Sequence, residues 1–245
     1  MLAQTDQPEL QDFTWNEMAD TAMAGSQVYN LLATVFRDVP SVEFLEELKT
    51  SGFSSAVKDV QLDLDHAYMQ RPIGQLREEL CVEFTQLFCG PGKHISPHES
   101  VQLQHNSGSL WGPKTAEVKR FIELAGFDFV ASFNGIPDHI SVELEFLSKL
   151  TLKEAESWQQ RNRKAAGNAL EWQLEFIAEH AAKWMAGFCH QVSDQAQTPF
   201  YDVFSSLLRL FLAAERAEIP ERLMIAFSAA GIGAPGSGNG DAQIT

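Results

Sequence analysis

Apolar residues recur along this chain at steps of three and four. Leu170, Leu174, Ile177, Ala181, Trp184 and Phe188 make one stripe, and Phe200, Phe204, Leu207 and Phe211 make another. Such spacing keeps successive apolar side chains on one face of a helix. Leu76, Leu80, Phe84 and Leu87 form a third stripe. The punctuation is helical as well. Thr198-Pro199 supplies an N-cap and a first-turn proline, and Pro113 opens a helix carrying Val118, Phe121, Ile122 and Ala125, with Gly126 as its stop. Asp138 is placed to cap a helix that buries Ile140, Leu144, Leu147 and Thr151. Tyr29, Leu32 and Phe36 mark a helix near the start, and Phe44, Leu45 and Leu48 mark one ending at Gly52. Alternating, strand-like runs are almost absent. The pattern predicts an all-α helical bundle of about nine to ten helices.

Four regions are expected from this pattern. They are an N-terminal extension over 1–25, an N-terminal helical half over 26–130, a C-terminal half over 131–230 after a hinge at 127–137, and a disordered Gly-rich tail over 231–245. In the tail, Gly231-Ile232-Gly233-Ala234-Pro235-Gly236 spells a dinucleotide-binding fingerprint letter by letter. It lacks the preceding strand and following helix that let such a turn hold pyrophosphate, so it carries no weight.

Composition narrows the function. A chain of 245 residues with 44% hydrophobic content buries a real core. The net charge of −15, from 33 acidic and 18 basic residues, argues against nucleic acid, whose binding rests on neutralising phosphates. It favours a cationic partner, because an acidic surface raises encounter rates with basic segments. Cys81, Cys89 and Cys189 form no C-x-x-C pair and read as reduced thiols of a cytoplasmic protein. Residues 1–13 carry Asp6, Glu9 and Asp12 and no basic stretch, so no export signal is expected. The most apolar run, 203–214, is broken by Ser205, Ser206 and Arg209 and is too short to span a bilayer.

Two stretches carry candidate chemistry. The first runs from Glu83-Phe84 through Leu87-Phe88-Cys89-Gly90-Pro91-Gly92 to Pro97-His98-Glu99-Ser100. Phe84 and Phe88 are four apart on a helix that Pro91 and its glycines end, which suits an aromatic wall gripping an apolar peptide. Burial under neighbouring helices is the competing reading, since stripes of this spacing are usually core. The second stretch is Pro137-Asp138-His139-Ile140 with Glu143-Leu144. Carboxylates at Asp138, Glu143 and Glu99 suit a guanidinium, which they can hold through paired hydrogen bonds. No Ser or Cys nucleophile has an evident place beside His139, so no catalytic residue is assigned. His94 and His98 are four apart, and with His105 and His139 they frame the alternative, a helical metal-dependent hydrolase. Pro91 and Pro97 interrupt the helix such a site needs, so no metal is expected.

At these residues the chain resembles the TorD/DmsD family of cytoplasmic chaperones for molybdenum-cofactor oxidoreductases. The likeness rests on Glu83-Phe84 with Leu87-Phe88, Gly90-Pro91, Pro97 with Glu99-Ser100, and Pro137-Asp138-His139-Ile140 with Glu143-Leu144. Phe176-Ile177, His180, Trp184, Phe188 and Pro199-Phe200-Tyr201 extend it toward the C-terminus. Phe84 stands where many members have Tyr or Trp. The resemblance implies a non-enzymatic, all-helical chaperone, monomeric or homodimeric, with no cofactor of its own. Its partners would be the twin-arginine signal peptide and the apo catalytic subunit of a molybdoenzyme, with no nucleic acid. The implied peptide-binding residues are Phe84, Leu87 and Phe88, then Asp138 and His139, with Gly112 matching a family glycine. Glu99 and Glu143 would flank the groove.

Overall fold

Small residues let the first helix nest against a largely buried partner. Helix α1 runs from Pro8 to Arg37 and helix α7 from Ile140 to Gln159. Ala19 and Ala22 are buried, and a Cβ on Gly25 would stand 3.3 Å from Thr151. That approach lets Ser26 donate to the Ser148 carbonyl while Ser148 donates to the Ser26 carbonyl, both at 2.9 Å. The structure, a computed structural model, describes residues 8–50, 64, 66–90, 93–103, 111–128 and 136–228. The tail over 231–245 lies outside them, as do most of the expected hinge and Gly52.

The other elements are α2 (Val42–Thr50), α3 (His66–Met69), α4 (Ile73–Phe84), α5 (Glu99–Leu103), α6 (Pro113–Leu124), α8 (Arg163–Phe176), α9 (Ala182–Gln195) and α10 (Pro199–Ser228). A π-helical turn, Thr85–Cys89, prolongs α4, and another, Ile177–Ala181, joins α8 to α9 without a break. Among the described residues no strand forms. The all-α expectation holds, and each stripe lies on the core side of its helix, with Leu174, Leu207 and Phe211 at the core edge.

Helices α1, α7, α8, α9 and α10 form the main bundle, while α4 leans on α2 and α5 lies against α6 and α9. Helix α1 passes unbroken through the boundary expected at residue 25. One core holds residues of both expected halves: Phe36, Phe88 and Phe188 meet with ring centroids 5.6–6.4 Å apart. Gly126, at φ 85°, ends α6 in the left-handed region that glycine tolerates. Thr198 caps α10 as expected, its hydroxyl accepting from Phe200 N–H at 3.3 Å.

Candidate functional site

The stripe of α4 decides the first motif. Phe84, Leu87 and Phe88 are 8%, 3% and 6% exposed, so of the two readings of this stripe burial is the one that holds. Phe84 and Phe88 pack edge to face at 5.0 Å, and both reach Tyr201. The π-helical turn sets this geometry by widening the helix around Leu87 and Phe88. Glu83 was overlooked as a functional side chain. Its carboxylate accepts the Gln197 and Thr198 N–H groups at 2.6 and 2.9 Å and also the Thr198 hydroxyl. It therefore fastens α4 to the start of α10.

The second motif meets residues 96–100 rather than standing alone. Glu99 N–H donates to the Asp138 carbonyl and Ile140 N–H to the Pro97 carbonyl, both at 2.9 Å. Between them His98 and His139 form an isolated antiparallel bridge. This exchange makes a seam between α5 and α7, a long-range pairing with no periodic signature in either segment.

The seam corrects the capping assignment. Asp138 does not cap the helix that follows it. Its Oδ2 accepts Ser100 N–H at 2.9 Å and so caps α5, thirty-eight positions away. Helix α7 is capped by His139, whose Nδ1 accepts Ser141 N–H at 3.2 Å and lies 2.8 Å from the Ser141 hydroxyl. Burial pushes Asp138 up, but the nearby His98 imidazole, 3.8 Å away, and the hydrogen bond from Ser100 outweigh it and bring the group down to about 2. Burial, then the neighbouring His98, lowers His139 to about 3. His139 stays neutral at physiological pH and far too weak a base for proton abstraction. Ser141 is 1% exposed, so the Ser–His pair is a cap and not a nucleophile.

The acidic candidates are sealed as well. Glu99, Asp138 and Glu143 are each 0% exposed. Glu99 Oε2 lies 3.0 Å from His180 Nδ1, and the Trp184 indole donates to Glu143 Oε2 at 3.1 Å. His180 and Trp184 lie four positions apart; Trp184 stands in the distal apolar stripe, and only the family resemblance singles out His180. Trp184 packs on Phe188, and Phe188 stacks on Phe88 at 5.9 Å, so an aromatic path joins the two motifs. Gly112 sits apart, half-buried at the N-cap of α6. Of the sequence candidates, the fold thus gathers Glu99, Asp138, His139 and Glu143, links Phe84, Leu87 and Phe88 to them through Phe188, and keeps only His139 and Gly112 partly open.

The metal alternative finds no support. His94 is exposed, His98 lies in the seam and His105 is outside the described residues. Among the described residues no three His, Cys, Asp or Glu side chains converge as ligands. No helix among them is long and apolar enough to cross a membrane.

Comparison with known proteins places this arrangement. The family described as nitrate reductase delta subunit matches residues 51–190, which include both motifs and more than half of the chain. The chaperone protein TorD of Vibrio vulnificus is 27% identical over 134 residues, covering 54% of this chain and 60% of that protein. TorD of Aliivibrio fischeri is 28% identical over 170 residues, covering 69% and 76%. The chain thus spans about 60% of the length of the Vibrio vulnificus relative. A solved structure described as a redox enzyme maturation protein from Archaeoglobus fulgidus aligns with a TM-score of 0.50 and 21% identity, over 77% of this chain and 93% of that one. That last likeness concerns the fold. The chain belongs to the nitrate reductase delta subunit family, the TorD/DmsD group its motifs resemble.

Proposed function

We propose that this protein is a cytoplasmic maturation chaperone and not an enzyme. It binds the twin-arginine signal peptide and the apo form of a molybdopterin-dependent oxidoreductase, assists cofactor insertion and delays export. The observation that carries the reading is the family match, which spans both motifs in one stretch. The curated relatives are chaperones by name. The chemistry agrees: a net charge of −15 attracts a cationic leader, and the weakly basic His139 with its sealed serine is unsuited to catalysis.

Burial constrains how a peptide is held. Exposing Phe84, Leu87 and Phe88 together would cost roughly 5–9 kcal/mol, at ~1.5–3 kcal/mol for each side chain. A micromolar complex has only about 8 kcal/mol in total. First contact therefore falls on the seam's partly open rim, at His98 and His139, with Gly112 a separate half-buried position. Asp138, Glu99 and Glu143 hold that rim from behind.

Calorimetric titration with a twin-arginine signal peptide tests the reading. The expected outcome is saturable binding with a negative heat-capacity change, weaker for a Lys-Lys variant and weaker at high salt. No heat from the peptide, and no complex with a full molybdoenzyme precursor, would overturn it.

A further inference from the structure

The α5–α7 seam leaves atoms without partners. Glu99 and Glu143 are fully buried, and each has one oxygen engaged, by His180 and by Trp184. Their other oxygens, Glu99 Oε1 and Glu143 Oε1, have no hydrogen-bond partner. The two acids lie near enough for the charge of Glu99 to act on Glu143. Their partners are one turn apart on one helical face, and the backbone exchange at Pro97–Ile140 and Glu99–Asp138 sets α5 against the first turn of α7. Two ionised carboxylates in such a place would repel strongly in a low-dielectric interior.

We infer that Glu99 and Glu143 share one proton through these two orphaned oxygens, and that this proton fastens α5 to α7 and α9. A carboxyl O–H on Glu143 directed at Glu99 Oε1 satisfies both atoms at once and removes one buried charge. Burial, reinforced by the charge of Glu99, raises Glu143 well above the ordinary carboxylate range. The groups facing the pair do not supply a substitute cation of fixed charge. From the loop before α5 comes His98; from the segment before α7 come Asp138, which His98 faces at 3.8 Å, and the neutral His139; from the π-helical turn comes His180. Lys114 of α6 senses Glu99, but it pairs with Glu117 at 2.5 Å. Arg37 of α1 acts on His139 and pairs with Glu145 at 2.7 Å. The proton is the fastening.

The sign of the pH dependence follows. A carboxyl whose folded value is raised contributes stability fully present below its unfolded value of about 4.5, and that stability is lost as pH rises toward the folded value. Opening of the seam, coupled to release of one proton, should therefore grow tenfold per pH unit across that window. This inference stands apart from the chaperone reading, since it concerns the free protein and needs no client.

The experiment is hydrogen exchange at the Glu99 and Ser100 amides, whose acceptors lie across the seam on Asp138. After correction for intrinsic exchange, protection in the wild type should fall tenfold per pH unit more steeply than in Glu143→Gln, which cannot release the proton. Infrared difference spectra should show the C=O stretch of a buried protonated carboxylic acid in the wild type and not in the variant. Equal pH slopes in the two proteins, or no such band in the wild type, would overturn the inference. Should Glu143→Gln fail to fold, the wild type still decides: a flat pH profile of protection at Glu99 and Ser100, or no carboxylic C=O band, overturns the inference by itself.

Discussion

Two buried polar clusters brace this bundle, and they solve the same electrostatic problem in opposite ways. One lies where α7, α8 and α10 meet. There Glu154 accepts from Trp158 at 3.1 Å and from Gln173 at 2.9 Å, and Arg222 Nε stands 3.3 Å from it. Glu215 takes both terminal nitrogens of the same arginine, at 3.4 and 2.7 Å. Both oxygens of each carboxylate are met, and a permanent cation balances them. The seam cluster of Glu99, Asp138 and Glu143 has no guanidinium among its contacts and leaves one oxygen of each acid unpartnered. A network whose carboxylate oxygens are all met and balanced by a fixed cation is suited to bracing, although Arg222 Nε lacks a hydrogen bond of its own. A network with bare carboxylate oxygens is costlier to keep buried.

Removing the guanidinium should produce the largest effect. In Arg222→Met the stem keeps its packing, but Glu154 and Glu215 remain buried without a cation. The expected loss is about 3–5 kcal/mol in urea denaturation at neutral pH. Adding Glu154→Gln and Glu215→Gln should restore much of it. A loss below about 1 kcal/mol would erase the contrast, because the braced cluster would then stand without its cation.

How much of this was legible beforehand depends on which periodicity a residue obeys. The stripes named the buried faces, since burial and helical spacing are linked within one element. Leu170, Ile177, Trp184 and Phe188 all fall in the core. The length of α1 was missed at its front, because Ala19, Ala22 and Gly25 read as neutral when they are in fact the small residues that permit close approach. The polar site was half legible. Asp138, His139, Glu99 and Glu143 stood out by type and by resemblance, but their partners are set by the seam, which is non-local and carries no repeat. Asp138 therefore looked like a local cap and proved to cap a helix 38 positions away. The π-helical turns at Leu87–Phe88 and His180 shift the helical phase without any residue that announces them.

Asp138→Ala should have an intermediate effect. It deletes the acceptor for the Ser100 N–H inside a site with no water access, and it leaves His98 without its facing carboxylate. A buried hydrogen bond to a charged group contributes about 1.5–3 kcal/mol. Thermal or chemical denaturation at pH 7 should show that loss, with the helical circular dichroism of the native state unchanged. In the wild type the same contribution is present above about pH 3.8 and disappears as pH falls through about 2. A variant as stable as wild type would mean the seam is held without Asp138, and the two clusters would then differ in more than charge balance.

The smallest effect separates the seam by pH alone. His139 caps α7 as a neutral ring, and its folded value lies at about 3 against an ordinary 6.5. A group lowered in the folded state contributes stability that is present above its unfolded value and is lost as pH falls toward the folded one. The His139 contribution to wild-type stability should therefore decline from about pH 6.5 downward, opposed over the same window by the gain from Glu143. His139→Asn keeps a good N-cap acceptor and cannot titrate, so its profile should run flatter over the same window, with a shift of a few tenths to about 1 kcal/mol at neutral pH. The Arg222 cluster supplies the control once its acids are neutral as well: in Arg222→Met with Glu154→Gln and Glu215→Gln, the acid-side decline should persist with its slope unchanged. If His139→Asn follows the wild-type curve, the imidazole is not what makes the seam acid-sensitive, and the contrast between a fixed brace and a titratable one fails on that side.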